Sequence, residues 1–290
     1  MKKVQQAMKL RTYEDTDKFN NKLHYPRQVM LKYDGRNTTI VKHPDQRVEY
    51  YTTGGKRFEL LDDQAFGFED TPVGVYFAEM MGKGIEGRLG ERIHSGIQTT
   101  MFTNTSKGLF NRHKPTWRIF DYVTIADYDV GICELKYVNR WSYLKDKVPT
   151  EYLAYDMECL NKAHWDMFHT KAVADGWEGT VSIDNTQQWM AKKSRPHTQI
   201  KRKDRKDADL LCTGWTMGEG KYSGMIGSLK LVDSKGRVVD VGSGLSDAQR
   251  NPDIEYVGKV IEIVYEQLMA TYIQPIFVRV RDDKTKEDIT

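Results

Sequence analysis

The sequence predicts an α+β chain in two parts: antiparallel sheets with helices over residues 1–206, then an all-β barrel over residues 207–290. Three observations predict it. From Val29 to Val130, short β-rich runs are separated by turn signals. Residues 151–174 carry apolar residues at helical spacing. After the basic run Lys201-Arg202-Lys203-Asp204-Arg205-Lys206, only short strands and turns remain. A chain of 290 residues suits one large domain or two smaller ones.

In the first part, Val29-Met30-Leu31 and Thr38-Thr39-Ile40-Val41 read as strands. Turns are expected at Asp34-Gly35, Thr53-Gly54-Gly55 and Thr71-Pro72. Residues 82–110 interrupt with a glycine-rich basic stretch holding Lys83, Arg88, Arg92, His94 and Lys107, read as a surface excursion. Leu153, Met157, Leu160, His164, Met167 and Phe168 predict one helix from Glu151 to Ala174, stopped by Gly176. Val181-Ser182-Ile183 reads as a strand. In the second part, strands are expected at 210–215, 228–232, 238–242, 260–265 and 276–280. A short helix is expected from Ser246, with Gln249 as its capping-box partner. Some five strands and one short helix in about 80 residues suit a Greek-key barrel of the OB type.

Composition narrows the function only a little. Hydrophobic content of 39% can build a core, and mean hydropathy is −0.65. No apolar run is long enough to span a bilayer, and the first residues lack the apolar stretch of a signal peptide. Cys133, Cys159 and Cys212 form neither a metal pattern nor a disulfide framework, so a reducing cytoplasm is expected. A net charge of +3 does not by itself predict nucleic-acid binding.

The chemistry lies in four ordered segments. Lys32-Tyr33-Asp34-Gly35 comes first, then Phe77-Ala78-Glu79-Met80, Glu178-Gly179-Thr180-Val181 and Ile200-Lys201-Arg202-Lys203. They offer a lysine nucleophile, carboxylates for a divalent metal and cations for a phosphate. Each piece has a bland reading: Asp34-Gly35 as a hairpin turn with a solvated Lys32, Glu79 as a strand end, Phe120 as core, Lys201–Lys206 as a solvated run. Their order fits covalent nucleotidyl transfer, in which a lysine attacks the α-phosphorus of a nucleotide and pyrophosphate leaves.

That ordered set resembles the ATP-dependent DNA ligases, within the superfamily that includes RNA ligases and capping enzymes. It is most similar to the small phage-type ligases. The resemblance implies a nucleotidyltransferase domain followed by an OB domain, and nicks in duplex DNA sealed through a lysyl-AMP intermediate. Lys32 is similar to the lysine that carries AMP. Asp34 belongs to the same motif. Glu79 matches the acidic residue that contacts ribose or supports metal. Phe120, in Ile119-Phe120-Asp121-Tyr122-Val123, matches the aromatic that stacks on adenine. Glu178 matches the metal-binding glutamate, and Lys201 and Lys203 the pair at the α-phosphate. Arg281 and Lys284 lie in a tail similar to the motif that orients pyrophosphate. The implied cofactors are ATP and Mg²⁺, with Mn²⁺ as a substitute.

Two positions depart from the pattern. Asn37 stands where an arginine is usual, with Arg36 one residue earlier as the candidate nucleotide contact. Thr53 stands where a second arginine is usual, leaving Arg47, Lys56 or Arg57 for the 5′-phosphate of the nick. Arg88 and Arg92 are further candidates for DNA contact. The implied partner is nicked duplex DNA, bound by a monomer without membrane attachment, in replication or repair. An RNA ligase and a non-catalytic OB-type DNA-binding protein are the alternatives.

Overall fold

Val29–Leu31 and Thr38–Val41 do fall in strands, β1 (Arg27–Leu31) and β2 (Arg36–Lys42), but the two strands do not pair with each other. The computed structural model describes residues 10–13, 23–58, 61, 67–82, 86–88, 115–191 and 197–290. The chain divides into two compact units, Met1–Lys203 and Asp204–Thr290.

In the first unit, β2 belongs to an antiparallel sheet with β3 (Val48–Thr52), β4 (Gly74–Gly82) and β5 (Pro115–Val123), in the order β3-β2-β4-β5. Alternation along these strands buries Ile40, Tyr50, Tyr76, Met80, Trp117 and Ile119 in one cluster. Tyr50 and Trp117 stack there with ring centroids 5.1 Å apart. The opposite face buries Val41, Val75, Phe77 and Val123 against Tyr128 and Trp189. Full burial of each such side chain stabilises the unit by about 1.5–3 kcal/mol.

Two helices follow β5 that the strand-rich reading of this region passes over. They are α1 (Ile125–Val130), capped by Thr124, and α2 (Tyr137–Lys147). On α2, Tyr137, Arg140, Trp141 and Leu144 are the buried residues, at helical spacing.

The long helix expected from Glu151 is a correction. Residues 150–152 form a 3₁₀ turn, Asp156–Cys159 form strand β6, and the helix α3 covers only Lys162–Ala174. The apolar spacing of 153–160 arises because Leu153 and Met157 serve different clusters. The backbone of β6 is drawn into pairing with β1. Asn161 then sets the helix start, its side chain accepting from the His164 N–H at 3.0 Å. The expected stop holds: the Gly176 N–H donates to the Val173 carbonyl at 3.0 Å.

β1 lies between β6 and β7 (Thr180–Asp184), and β7 pairs on its far side with β8 (Gln199–Arg202). All three pairings are antiparallel, and Arg11–Thr12 runs parallel beside β8. The segment Lys32–Gly35 therefore carries the chain from one sheet to the other. The hairpin reading of Asp34-Gly35 does not hold.

The second unit is an antiparallel sheet of five strands, coiled about one core of Leu210, Leu229, Leu231, Ile261, Ile263 and Phe277. Its strands are β9 (Lys206–Met217), β10 (Ile226–Val232), β11 (Val238–Val241), β12 (Val260–Tyr265) and β13 (Ile276–Val280), in the order β11-β10-β9-β12-β13. The long β9 pairs with β12 up to Leu211 and with β10 from there on, with a shift of register between Cys212 and Gly214. The expected capping box forms, with the Ser246 N–H donating to Gln249 at 2.9 Å and the Gln249 N–H to Ser246 at 3.3 Å. It opens a single 3₁₀ turn, Ala248–Arg250. Among the described residues, no helix is long and apolar enough to cross a membrane.

Candidate active site

The ends of β1, β7 and β8 bring Lys32, Glu178 and Lys203 together. The ladder fixes their relative height: Leu31 pairs with Thr180, and the Lys32 N–H donates to the Gly179 carbonyl at 2.9 Å. Glu178 is buried, and both of its oxygens are taken. Lys32 Nζ donates to Oε2 at 2.6 Å, and Lys203 Nζ pairs with Oε1. Burial penalises the charged carboxylate, but the attraction of Lys32 and Lys203 outweighs it and holds Glu178 below its ordinary value.

Gly179 makes this approach feasible. Its φ is 143°, and a Cβ there would strike the Arg202 carbonyl of the neighbouring strand. Lys201 is in register with Val181, which also pairs with Met30, so these side chains share a face. Arg202 points to the other face, where it bonds Asp166 at 2.6 Å and covers Tyr13.

The turn after Lys32 is clamped from the second sheet. Asp34 is buried, and its N–H donates to the Gly87 carbonyl at 2.8 Å. A Cβ on Gly35 would sit 2.6 Å from the Met80 carbonyl and 2.7 Å from Glu79 Cγ, so Glu79 lies directly over the turn. Glu79 is in register with Asn37 on β2 and Arg118 on β5. Arg36 is in register with Met80 instead, and its guanidinium lies 5.2 Å over the Phe58 ring. The register sets Asn37 beside Glu79 and turns Arg36 to the other face.

Beside this turn is a cavity of about 660 Å³, flanked by Leu31, Tyr33, Arg118, Tyr155 and Trp177. That volume is within the range of small-molecule sites. Tyr33 and Trp177 meet edge to face at 5.4 Å, and Arg118 lies 5.7 Å over Tyr33. Arg118 and Trp177 went unnoticed in the sequence, although Trp177 adjoins Glu178, and Tyr33 was given no role of its own within the Lys32 motif. Phe120 does not line this cavity. It packs, half-buried, between two core clusters, and its carbonyl accepts from the Tyr137 hydroxyl at 2.7 Å. Its neighbour Asp121 is buried in a two-pronged pair with Arg140, at 2.8 Å on both prongs.

The expected DNA contacts are dispersed. Arg47 and Arg57 both bond Glu49, each at 3.2 Å, and Glu49 also accepts from Tyr51 at 2.7 Å. Lys56 is exposed on the turn that follows β3, and no ion pair of its side chain occurs among the described residues. Arg88 lies 5.2 Å over Trp177 and bonds Glu86 and the Asp175 carbonyl. Arg92 and most of the 82–110 stretch lie outside the described residues. In the second unit, Arg281 and Lys284 both bond Asp209.

The model of the DNA ligase OB-like domain matches residues 217–281. Among solved structures, the chain is similar to one described in a study of DNA binding by the minimal scaffold of Lig E DNA ligases, with a TM-score of 0.75 at 17% identity, covering 96% of this chain and 100% of that one. The chain has the fold of the DNA ligases. The ATP-dependent DNA ligase from bacteriophage T7 in complex with ATP matches with a TM-score of 0.53 at 17% identity, covering 95% of this chain and 98% of that one. The ligase domain of M. tuberculosis LigD matches with a TM-score of 0.51 at 15% identity, covering 100% and 99%. No curated protein matches the sequence. In this ligase fold, the Lys32 cluster belongs to the first unit and the matched OB-like segment to the second.

Proposed function

We propose that the chain is an ATP-dependent DNA ligase that joins the 3′-hydroxyl and 5′-phosphate of a nick in duplex DNA. The observation that carries this reading is the buried Glu178 held between Lys32 and Lys203, in a chain whose second unit matches the ligase OB-like domain. A solvated hairpin lysine has no reason to be tied to a buried carboxylate at the end of the neighbouring strand.

Lys32 Nζ is the nucleophile toward the α-phosphorus of ATP. The bond to nitrogen forms as the bond to the pyrophosphate oxygen breaks, and the nitrogen gives up its protons. Lys203 and Lys201 neutralise charge on the phosphate oxygens, the main work in displacement at phosphorus. In this reading Glu79, over the Asp34–Gly35 turn, contacts the ribose or supports the metal.

The donor set also fits Mg²⁺. Among the described residues no three metal-binding side chains cluster. Mg²⁺ is usually held by one or two carboxylates together with water and phosphates. Glu178, with both oxygens already facing cations, is such a ligand. A divalent cation bound there would screen the phosphates and leave Lys32 without its anionic partner, favouring the neutral amine.

AMP then passes from Lys32 to the 5′-phosphate of the nick, and the 3′-hydroxyl displaces it. Lys56 is the best placed of the three candidates for that 5′-phosphate, since Arg47 and Arg57 are engaged by Glu49. The test is a gel assay with α-labelled ATP or GTP and nicked DNA or nicked RNA. Label from ATP and sealing of the DNA nick support the reading. Label with joining of RNA alone would make it an RNA ligase. An absence of label would leave only a DNA-binding protein.

A further inference from the structure

Asp209 lies on β9 between Ala208 and Leu210, both of which point into the barrel core. Alternation should turn Asp209 to solvent, yet it is only 5% exposed. The C-terminal segment covers it. The Thr290 N–H donates to the Asp209 carbonyl at 3.0 Å, and the Asp209 N–H to Thr290 Oγ1 at 3.1 Å. Under that cover its carboxylate accepts from Arg281 at 3.2 Å and from Lys284 at 2.6 Å.

The neighbouring strand makes this arrangement costly. Asp209 is in register with Glu262 of β12, and two like charges directly opposite each other destabilise a sheet. Arg281 bridges the pair, lying 3.4 Å from Glu262, while Arg279 bonds Glu262 at 2.7 Å. Asp283 takes the other edge of the Arg281 guanidinium at 2.8 and 2.7 Å. A strand pair serving stability alone is better made from opposite charges or β-branched residues. A paired acidic position suits instead a need to hold two cations in one geometry. Lysine and arginine stems are otherwise free to sample many rotamers.

We propose that Asp209 is a positioning residue for the first step, holding Arg281 and Lys284 in the arrangement that orients the leaving pyrophosphate. This rests on the ligase reading, in which those two side chains serve the pyrophosphate. Asp209 itself touches neither ATP nor DNA. Pyrophosphate departs only in the first step, so the effect of Asp209 is confined to that step and its reversal.

The test is Asp209→Asn, which keeps the volume and removes the charge. Self-adenylation with α-labelled ATP is expected to slow about tenfold or more at saturating ATP, because the orienting groups are loosened. Removal of the label by added pyrophosphate should slow by the same factor, since it is the reverse of that step. Sealing of a pre-adenylated nick should stay within about twofold of wild type. Adenylation within about twofold of wild type overturns the proposal. So does an equal loss in both assays with a lowered melting temperature, which would make Asp209 a fastener of the barrel only. If the wild-type protein takes no label from ATP, the ligase reading itself fails and Asp209 loses this role with it.

Discussion

Glu178→Gln removes the one anion shared by two lysines while keeping its volume. The 2.6 Å contact with Lys32 is worth about 6 kcal/mol gross at an effective dielectric of about 20. Burial of the carboxylate offsets several kcal/mol of that. Breaking a buried pair from one side typically costs about 3–5 kcal/mol. Here the side chains of Lys32 and Lys203 remain 20% and 11% exposed, so both recover some hydration when the anion is lost. The expected net loss is therefore at or just below that range, about 2–3 kcal/mol, or about 4–12 °C in melting temperature for a unit of this size. That leaves the protein folded.

Its catalytic effect should be larger, a loss of about a hundredfold or more in self-adenylation, as for removal of one preorganised charge from a phosphoryl-transfer site. The stability effect carries a pH signature. Glu178 titrates lower in the folded protein than in the unfolded chain, so its stabilisation is full above the ordinary glutamate value near 4.5 and fades as pH falls through the folded value. Melting curves of both proteins from pH 7 downward should therefore converge in acid. A constant gap across that range, or near wild-type adenylation by the variant, would refute the reasoning.

Lys32→Ala should take no label from α-labelled ATP, and Lys32→Arg should fail too, because a guanidinium stays protonated; an acid-labile adduct retained by either variant would move the nucleophile elsewhere. Lys56→Ala is expected to weaken binding of a 5′-phosphorylated nick about three- to tenfold and to have little effect on a nick lacking that phosphate, so an equal loss on both substrates counts against the phosphate contact. Gly179→Ala, forced into a left-handed conformation and against the Arg202 carbonyl, should lower stability by about 2 kcal/mol or more and abolish adenylation; a melting temperature matching wild type would show that the two strands can part. Affinity for nicked DNA should fall steeply from low to moderate salt through counterion release, and a flat salt response would argue against backbone contacts.

Much of the barrel was legible because its strands alternate cleanly and its turns carry capping signals such as Ser246 and Gln249. The cluster of Lys32, Glu178 and Lys203 was legible as a set of types in order, since displacement at phosphorus needs those groups together. What escaped the sequence depends on partner and face. Residues 151–161 have helical spacing, but Leu153 and Met157 feed different clusters and the backbone pairs with β1. The helix α2 was overlooked although its buried residues are regularly spaced. Arg36, Arg47, Arg57 and Arg88 looked like free cations for a nucleotide or DNA. In the fold, Phe58, Glu49 and Trp177 engage them.

The crossing at Lys32–Gly35 also bears on how the protein is made. β2 finds its partners β3 and β4 within about 40 residues, a local closure of modest entropy. β1 must wait for β6 and β7, which lie more than a hundred residues further along the chain. During synthesis, the second sheet can therefore assemble while the strand that leads to Lys32 is still unpaired. Pairings of such long sequence separation form late and slowly. Lys32 gains its setting among the last events in the folding of this unit, so a nascent chain still short of β7 and β8 carries Lys32 with neither Glu178 nor Lys203 beside it.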